Sequence, residues 1–286
     1  MRWGDARRSD NVEEDRGGGR SGFGLPHLGI GGLLAVLGIG WLFGISPIQM
    51  LGLLSQVDSG GPVTEQRQAP ANNPQTDFIR AILGETEDVW SEVFQKSGHK
   101  YERPKLTLFS GGVRSGCGGA TSASGPFYCP LDRHVYLDVT FFEEMKAKLG
   151  GGGDFAYAYV IAHEVGHHVQ NLLGISAKVM RAQEQGKDIR GSEGLSVRQE
   201  LQADCYAGVW ANRAQSRHHW LEAGDVESAL NTATAIGDDR LQRQSQGTVV
   251  PDAFTHGTSA QRVHWFRAGF ETGDIKNCDT FAAAQP

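Results

Sequence analysis

Residues 154–174 read Asp-Phe-Ala-Tyr-Ala-Tyr-Val-Ile-Ala-His-Glu-Val-Gly-His-His-Val-Gln-Asn-Leu-Leu-Gly. The first two turns, from Phe155 to Ala162, are apolar on every side, which marks a helix enclosed by other elements. Asp154 is placed to cap its start and Gly174 to end it, so the spacing predicts a helix over 154–174. Into this apolar helix the chain sets His163, Glu164 and His167. Positions i and i+4 differ by about 40° around a helix, so both imidazoles face one way and can share a metal ion. Glu164, one step round, falls beside that ion and can hydrogen-bond a water there; this is the His-Glu-x-x-His arrangement. His168 lies about 140° from His163 and reads as a packing residue or a support to the ligands.

A catalytic zinc takes a third protein ligand. One known arrangement uses a Gly three residues and a His six residues after the second His. Those positions hold Gln170 and Leu173, so it does not apply. The other uses an acid from a later helix. Glu200 and Asp204 stand at i and i+4 beyond Ser196-Val197-Arg198-Gln199, which reads as a capping box. Ala203, Ala207 and Ala211 on that helix are small enough for close approach. Glu200 is therefore the expected third ligand, and Asp204 the expected acceptor for the free ring N–H of His163. The alternative for this pair is a solvated acidic first turn.

Outward from these motifs, residues 77–97 carry apolar side chains at helical spacing, from Phe78 to Val93. Segments 106–109, 127–129 and 135–139 read as short strands. Further helices are expected over 201–213, 226–236 and 260–270. The fold class is α+β, a mainly helical domain with a small sheet, over residues 77–286.

The remainder divides by composition. Residues 1–20 hold five Arg and five acids with almost no aliphatic side chains, so 1–27 reads as a disordered tail. Residues 28–54 contain no charged side chain, and their length suits one transmembrane helix. Residues 55–76, rich in Gly, Pro, Gln and Asn, read as a linker. With five Lys or Arg before the apolar stretch and only Arg67 between Val57 and Ile79, the expected orientation is a cytoplasmic N-terminus. The helical domain is then exported from a bacterial inner membrane in a single pass, with the lipid bilayer as partner through 28–54.

The cysteines agree with export. Cys117, Cys129, Cys205 and Cys278 all follow the apolar stretch. Four cysteines allow three pairings. Cys117–Cys129 across a Gly/Ser-rich loop with Cys205–Cys278 tying down the tail is preferred, and four reduced buried thiols is the alternative. Across 286 residues the formal charge is −6, which argues against a nucleic-acid partner.

The combination of His163-Glu164-Val165-Gly166-His167 with Glu200-Leu201-Gln202-Ala203-Asp204 resembles the gluzincin pattern of zinc metallopeptidases. The whole chain is similar to the bacterial neutral zinc metallopeptidase family of YpfJ type. The likeness rests on Met1-Arg2-Trp3, on Ser9-Asp10-Asn11-Val12-Glu13-Glu14-Asp15-Arg16, on Gly125-Pro126-Phe127-Tyr128-Cys129-Pro130, and on His256-Gly257-Thr258-Ser259-Ala260-Gln261-Arg262, together with the metal motifs.

The resemblance implies a zincin-like fold, one Zn²⁺ per chain, and hydrolysis of a peptide or protein substrate. In that reading His163, His167 and Glu200 hold the ion and Glu164 is the general base. His256, in a loop just before a helix start at Thr258/Ser259, is the candidate oxyanion donor, with Tyr157 and Tyr159 as alternatives. By analogy with related folds, a strand edge within 127–139 pairs with extended substrate. A membrane-anchored binding or scaffold protein stabilised by zinc is the competing function.

Overall fold

The computed structural model describes residues 1–15, 73–149 and 152–286 of the chain. The expected transmembrane stretch 28–54 lies outside the described residues, and no helix among those described is long and apolar enough to cross a membrane.

The described chain is α+β and mainly helical. Strand β1 (Val12–Glu14) is followed by helix α1 (Pro74–Lys96) and strands β2 (Lys105–Phe109), β3 (Gly112–Ser115), β4 (Gly118–Thr121), β5 (Phe127–Cys129) and β6 (His134–Asp138). Helices α2 (Phe141–Leu149), α3 (Asp154–Leu172), α4 (Ile175–Glu184), α5 (Leu195–His218), α6 (Asp225–Ala235), α7 (Asp238–Gln246) and α8 (Ser259–Thr272) complete the order. The main sheet runs β1-β2-β6-β5, parallel across β1, β2 and β6, with β5 antiparallel at the edge; β3 and β4 form a separate ribbon.

Helix α3 is the axis of the domain. Ala156, Ala158, Tyr159, Ile161, Ala162, Val165 and Val169 are all buried, as an all-round apolar helix requires. Helices α1, α4, α5 and α6 and strand β5 pack around it. Helix α5 lies against α3 and, on another side, against α8. Gly208 and Gly269 make the second contact possible. A Cβ on Gly269 would sit 2.0 Å from the Cys205 carbonyl oxygen, and one on Gly208 2.1 Å from that of Phe266.

Helix ends differ from the sequence reading. Asp154 does not cap α3. The N-cap is Gly153, and the Asp154 carboxylate instead accepts the Trp3 indole N–H at 2.8 Å. Ser196 forms no capping box either, because α5 starts two residues earlier, at Leu195 behind Gly194, and the Ser196 hydroxyl donates to the Thr255 carbonyl. A true box opens α8, where Thr258 and Gln261 exchange side-chain and backbone bonds. Helices α2, α4 and α7 and strands β1, β3 and β4 were not expected. Gly174 ends α3 in the left-handed conformation (φ 73°) and α4 follows it at once.

The largest correction concerns the N-terminus. Residues 1–15 are not a disordered tail; they belong to the same compact unit as the chain from Asn73 onward. Val12, Glu13 and Glu14 pair in register with Leu106, Thr107 and Leu108. Arg8 makes a two-pronged contact to Asp77, at 2.8 and 2.7 Å. The side chain of Glu87 is fully buried and takes hydrogen bonds from Arg7, Ser9 and Asn11 at 2.7, 2.6 and 2.6 Å. Gly84 on α1 leaves room for this strap, since a Cβ there would lie 2.4 Å from the Arg7 carbonyl oxygen. Their partners lie some 70 to 90 residues downstream, beyond the reach of a composition argument. Residues 74–76, expected in the linker, begin α1 behind the side-chain cap of Asn73.

Both preferred disulfides are present, Cys117–Cys129 and Cys205–Cys278. The second closes a 73-residue separation. Replacing Cys205 and Cys278 together by Ala should lower unfolding free energy by about 2–5 kcal/mol. Urea denaturation of both forms, read by Trp fluorescence, checks this; coincident midpoints refute it.

Candidate metal centre

On α3, His163 and His167 present their rings 4.8 Å apart, and Glu200 reaches both from α5. Glu200 Oε2 lies 3.2 Å from His163 Nε2, and Oε1 lies 3.4 Å from His167 Nε2. Among the described residues these three form a group able to hold a metal ion. The close approach of α3 and α5 depends on Gly166 within the motif, where a Cβ would lie 3.0 Å from the Ala203 carbonyl oxygen.

Each ring has its other nitrogen committed. His163 Nδ1 donates to Asp204 at 2.8 Å, and His167 Nδ1 donates to Gln170 Oε1 at 2.9 Å. The amide of Gln170 is oriented in turn, because its Nε2 donates to the Gln199 carbonyl and to Gln202 Oε1. With both Nδ1 atoms carrying hydrogen, both Nε2 atoms are lone-pair donors toward the shared position. Two imidazole nitrogens and one carboxylate oxygen are a donor set of the catalytic zinc kind, with a position left for water or substrate. The residues fit zinc.

Asp204 is fully buried and is no solvated first-turn acid. Besides His163 it accepts from the Tyr159 hydroxyl at 2.5 Å and from Arg262 through Nε at 2.8 Å and Nη2 at 2.9 Å. Burial raises its pKa, but the Arg262 guanidinium and His163 outweigh that and hold the carboxyl down at about 2. Arg262, itself buried on α8, was quoted in the sequence only as part of a resemblance. The signal that could have found it is physical: a buried carboxylate needs a buried cation. Gln170 was noted only where another metal arrangement fails, yet it orients the second ligand. Tyr159 is bound into the same cluster rather than offered as an oxyanion donor.

The field of the site favours positive charge. Burial lowers the pKa of His163, yet the charge of Asp204 and the hydrogen bonds the ring donates to Asp204 and Glu200 carry it up to about 10. Burial works against ionised Glu200 as well, but His167 and His163 bring it well below the usual carboxylate range. Glu164 is different. It is buried beside the cluster, and burial raises its pKa above the ordinary value.

His163, Glu164, His167 and Glu200 line a cavity of about 600 Å³ with Phe127, Tyr128, Phe141 and Met145. His256 lines it as well, from the loop before α8. Its Nδ1 lies 3.2 Å from Asp238, whose other oxygen accepts the backbone N–H groups of Thr255, His256 and Gly257. The bond to Asp238 raises the His256 pKa. Asp238 was not anticipated, because it sits on the unpredicted α7. His168 is a packing residue, held between the Tyr128 hydroxyl at 3.0 Å and the Glu102 carbonyl at 2.6 Å, with burial lowering its pKa to about 4.

Comparison with known proteins agrees with this geometry. The family described as "Putative neutral zinc metallopeptidase" matches residues 1–281. The chain belongs to that family. "Uncharacterized protein YpfJ" of Escherichia coli strain K12 is 50% identical over 291 residues, covering 98% of this chain and 99% of that protein. "Uncharacterized protein Rv2575" of Mycobacterium tuberculosis strain H37Rv is 48% identical over 194 residues, covering 64% of each. No solved structure matches. Within this family the match begins at residue 1, so it takes in the N-terminal strap as well as the metal motifs.

Asp204→Asn should weaken zinc binding about 10–100-fold, because the His163 support loses its charge. Arg262→Met should act in the same direction through Asp204, with Arg262→Lys retaining more affinity than Met. Competition with a zinc-chelating dye measures all three; affinities equal to the parent protein would remove Asp204 and Arg262 from this role.

Proposed function

We propose that the protein is a zinc-dependent peptidase, hydrolysing peptide bonds in an extended substrate laid along the cavity. The convergence of His163 Nε2, His167 Nε2 and Glu200 on one position, with buried Glu164 alongside, carries this reading. Zinc held there would supply Lewis-acid polarisation of the scissile carbonyl and acidify the attacking water.

Glu164 is the general base. Burial puts its proton affinity above that of an ordinary carboxylate, closer to the working pH, where one group can both accept a proton from water and return it to the leaving amine. His256 is the oxyanion donor. The Asp238 carboxylate keeps its ring protonated to higher pH, and three backbone N–H groups donating to the same carboxylate fix the loop that carries it. Tyr128 and Phe127 belong to edge strand β5, whose free side can accept substrate backbone as an added strand. The aromatic and Met walls suit an apolar side chain next to the cleaved bond.

Glu164→Gln should leave zinc content intact while hydrolysis of a denatured protein substrate collapses; unchanged turnover removes the general base. His256→Gln should lower kcat by about 10²–10³ with KM nearly unaltered. The His256 pKa is raised from 6.5, so the donor is present below that value and is lost as pH rises through its higher folded-state value. The alkaline limb of the kcat profile should therefore lie above pH 6.5 and move to lower pH in Asp238→Asn. An unmoved limb would separate His256 from catalysis.

A further inference from the structure

Helix α3 works in two directions. His163 and His167 face the shared metal position, while His168 and Asn171 hydrogen-bond to Tyr128 on strand β5. The hydrogens of this second group follow from its acceptors. His168 Nε2 lies 2.6 Å from the Glu102 carbonyl oxygen, which can only accept, so Nε2 carries the hydrogen. In the uncharged ring Nδ1 is then the acceptor, and the Tyr128 hydroxyl donates to it at 3.0 Å. The oxygen of that hydroxyl accepts from Asn171 Nδ2 at 2.9 Å, and the same amide donates to the Pro130 carbonyl at 3.2 Å. The His168 ring is wholly buried, with the rings of Tyr101 and Tyr128 roughly perpendicular to it at 5.7 and 5.4 Å.

Tyr128 lines the cavity, but its hydroxyl hydrogen is committed to His168 and cannot serve a substrate. What the residue supplies is a fixed strand. Strand β5 has three residues and pairs with β6 along one side only. Its side chains alternate. Phe127 and Cys129 join a small cluster with Phe109, Val113 and Tyr136, whereas Tyr128 packs on the main core. The polar bonds between β5 and α3 therefore run through Tyr128 and the neighbouring Pro130 carbonyl, and His168 and Asn171 hold the other end of each. The separation of the edge strand from the two imidazoles is set by side chains of the helix that carries those imidazoles. A displacement of about 1 Å between a bound substrate and the reacting groups is enough to cost catalysis heavily.

We propose that His168 and Asn171 are positioning residues for substrate: they hold β5 against α3, so that an extended peptide added along the free side of the strand is presented to the metal position on the same helix. The inference rests on the peptidase reading, in that β5 is the strand that receives substrate. Neither residue acts through the metal ligands. His167 Nδ1 is held by Gln170 and His163 Nδ1 by Asp204, so the supports of the ligands and the supports of the strand are separate sets of bonds.

The test uses the full chain with zinc added and fluorescein-labelled unfolded casein as the probe. Binding is read by anisotropy in the Glu164→Gln background, KM and kcat in the parent background, and zinc affinity by dye competition in both. His168→Phe keeps a flat ring and loses both hydrogen bonds, Asn171→Ala loses the two its amide donates, and His168→Gln retains one donor and one acceptor. His168→Phe and Asn171→Ala should each weaken binding and raise KM roughly 2–10-fold, the worth of a hydrogen bond. Zinc affinity and kcat should stay at parent values, and His168→Gln should fall between His168→Phe and the parent. Equal binding in all forms overturns the proposal, as does a loss of zinc affinity with KM unmoved, which would put His168 behind His167 instead. Should His168→Phe fail to fold, Tyr128→Phe removes only the shared hydroxyl and is judged by the same outcomes. Absence of binding in the Glu164→Gln protein also overturns the proposal. Binding that follows the expected order without hydrolysis by the parent overturns the peptidase reading alone.

Discussion

The buried carboxylate of Asp204 is the interaction on which the site depends. It stands on α5, accepts from His163 and Tyr159 on α3, and is gripped by Arg262 on α8. Three helices are thus fixed by one anion. Enclosing a charge in a protein interior is costly, and removing one partner of a buried pair typically costs about 3–5 kcal/mol. The rotation of α5 about its own axis is therefore set by Asp204, and Glu200, one turn earlier on the same face, is carried to the two imidazoles as a consequence.

The two histidines are supported unequally. His163 gives its hydrogen to an anion, His167 to a neutral amide that is itself oriented by α5. An anionic acceptor makes the ring a more basic ligand than a neutral one does. Counting the ionised forms of Glu164, Glu200 and Asp204 against Arg262, the site carries two net negative charges, matching a divalent cation. Burial raises the proton affinity of Glu164, so that balance can shift by one charge without disturbing His163, His167 or Glu200.

The central helix, its two imidazoles and the acids of α5 were legible in the sequence because each depends on spacing along one helix. The i, i+4 relation puts His163 beside His167 and Glu200 beside Asp204 with no knowledge of the tertiary fold. Arg262, Asp238 and the acceptor role of Gln170 were not legible. Arg262 meets Asp204 across 58 positions and Asp238 meets His256 across 18, and no periodicity records a contact between elements. Gln170 sits three residues from His167, a readable offset, but its direction is set by Gln199 and Gln202 on another helix. The cap assignments at Asp154 and Ser196 failed for a related reason. Each side chain had a tertiary partner, Trp3 or the Thr255 carbonyl, that outcompeted the local backbone.

The N-terminal strap carries the argument furthest from the linear sequence. Low hydrophobicity and mixed charge suggest a chain that cannot bury enough surface to order itself, but that inference treats the segment as alone. Arg7, Arg8, Ser9 and Asn11 find a complementary polar surface already arranged on α1, so the strap orders by completing hydrogen bonds there as well as by burying Ala6 and Val12 in the core. The parallel pairing of β1 with β2 adds a topological condition. Parallel neighbours need a crossover, and here it is supplied by α1. The apolar stretch interrupts that crossover between β1 and α1. The described segments on either side of it, β1 and α1, belong to one supersecondary unit, and separating them would break the sheet edge and leave Glu87 buried without its close partners.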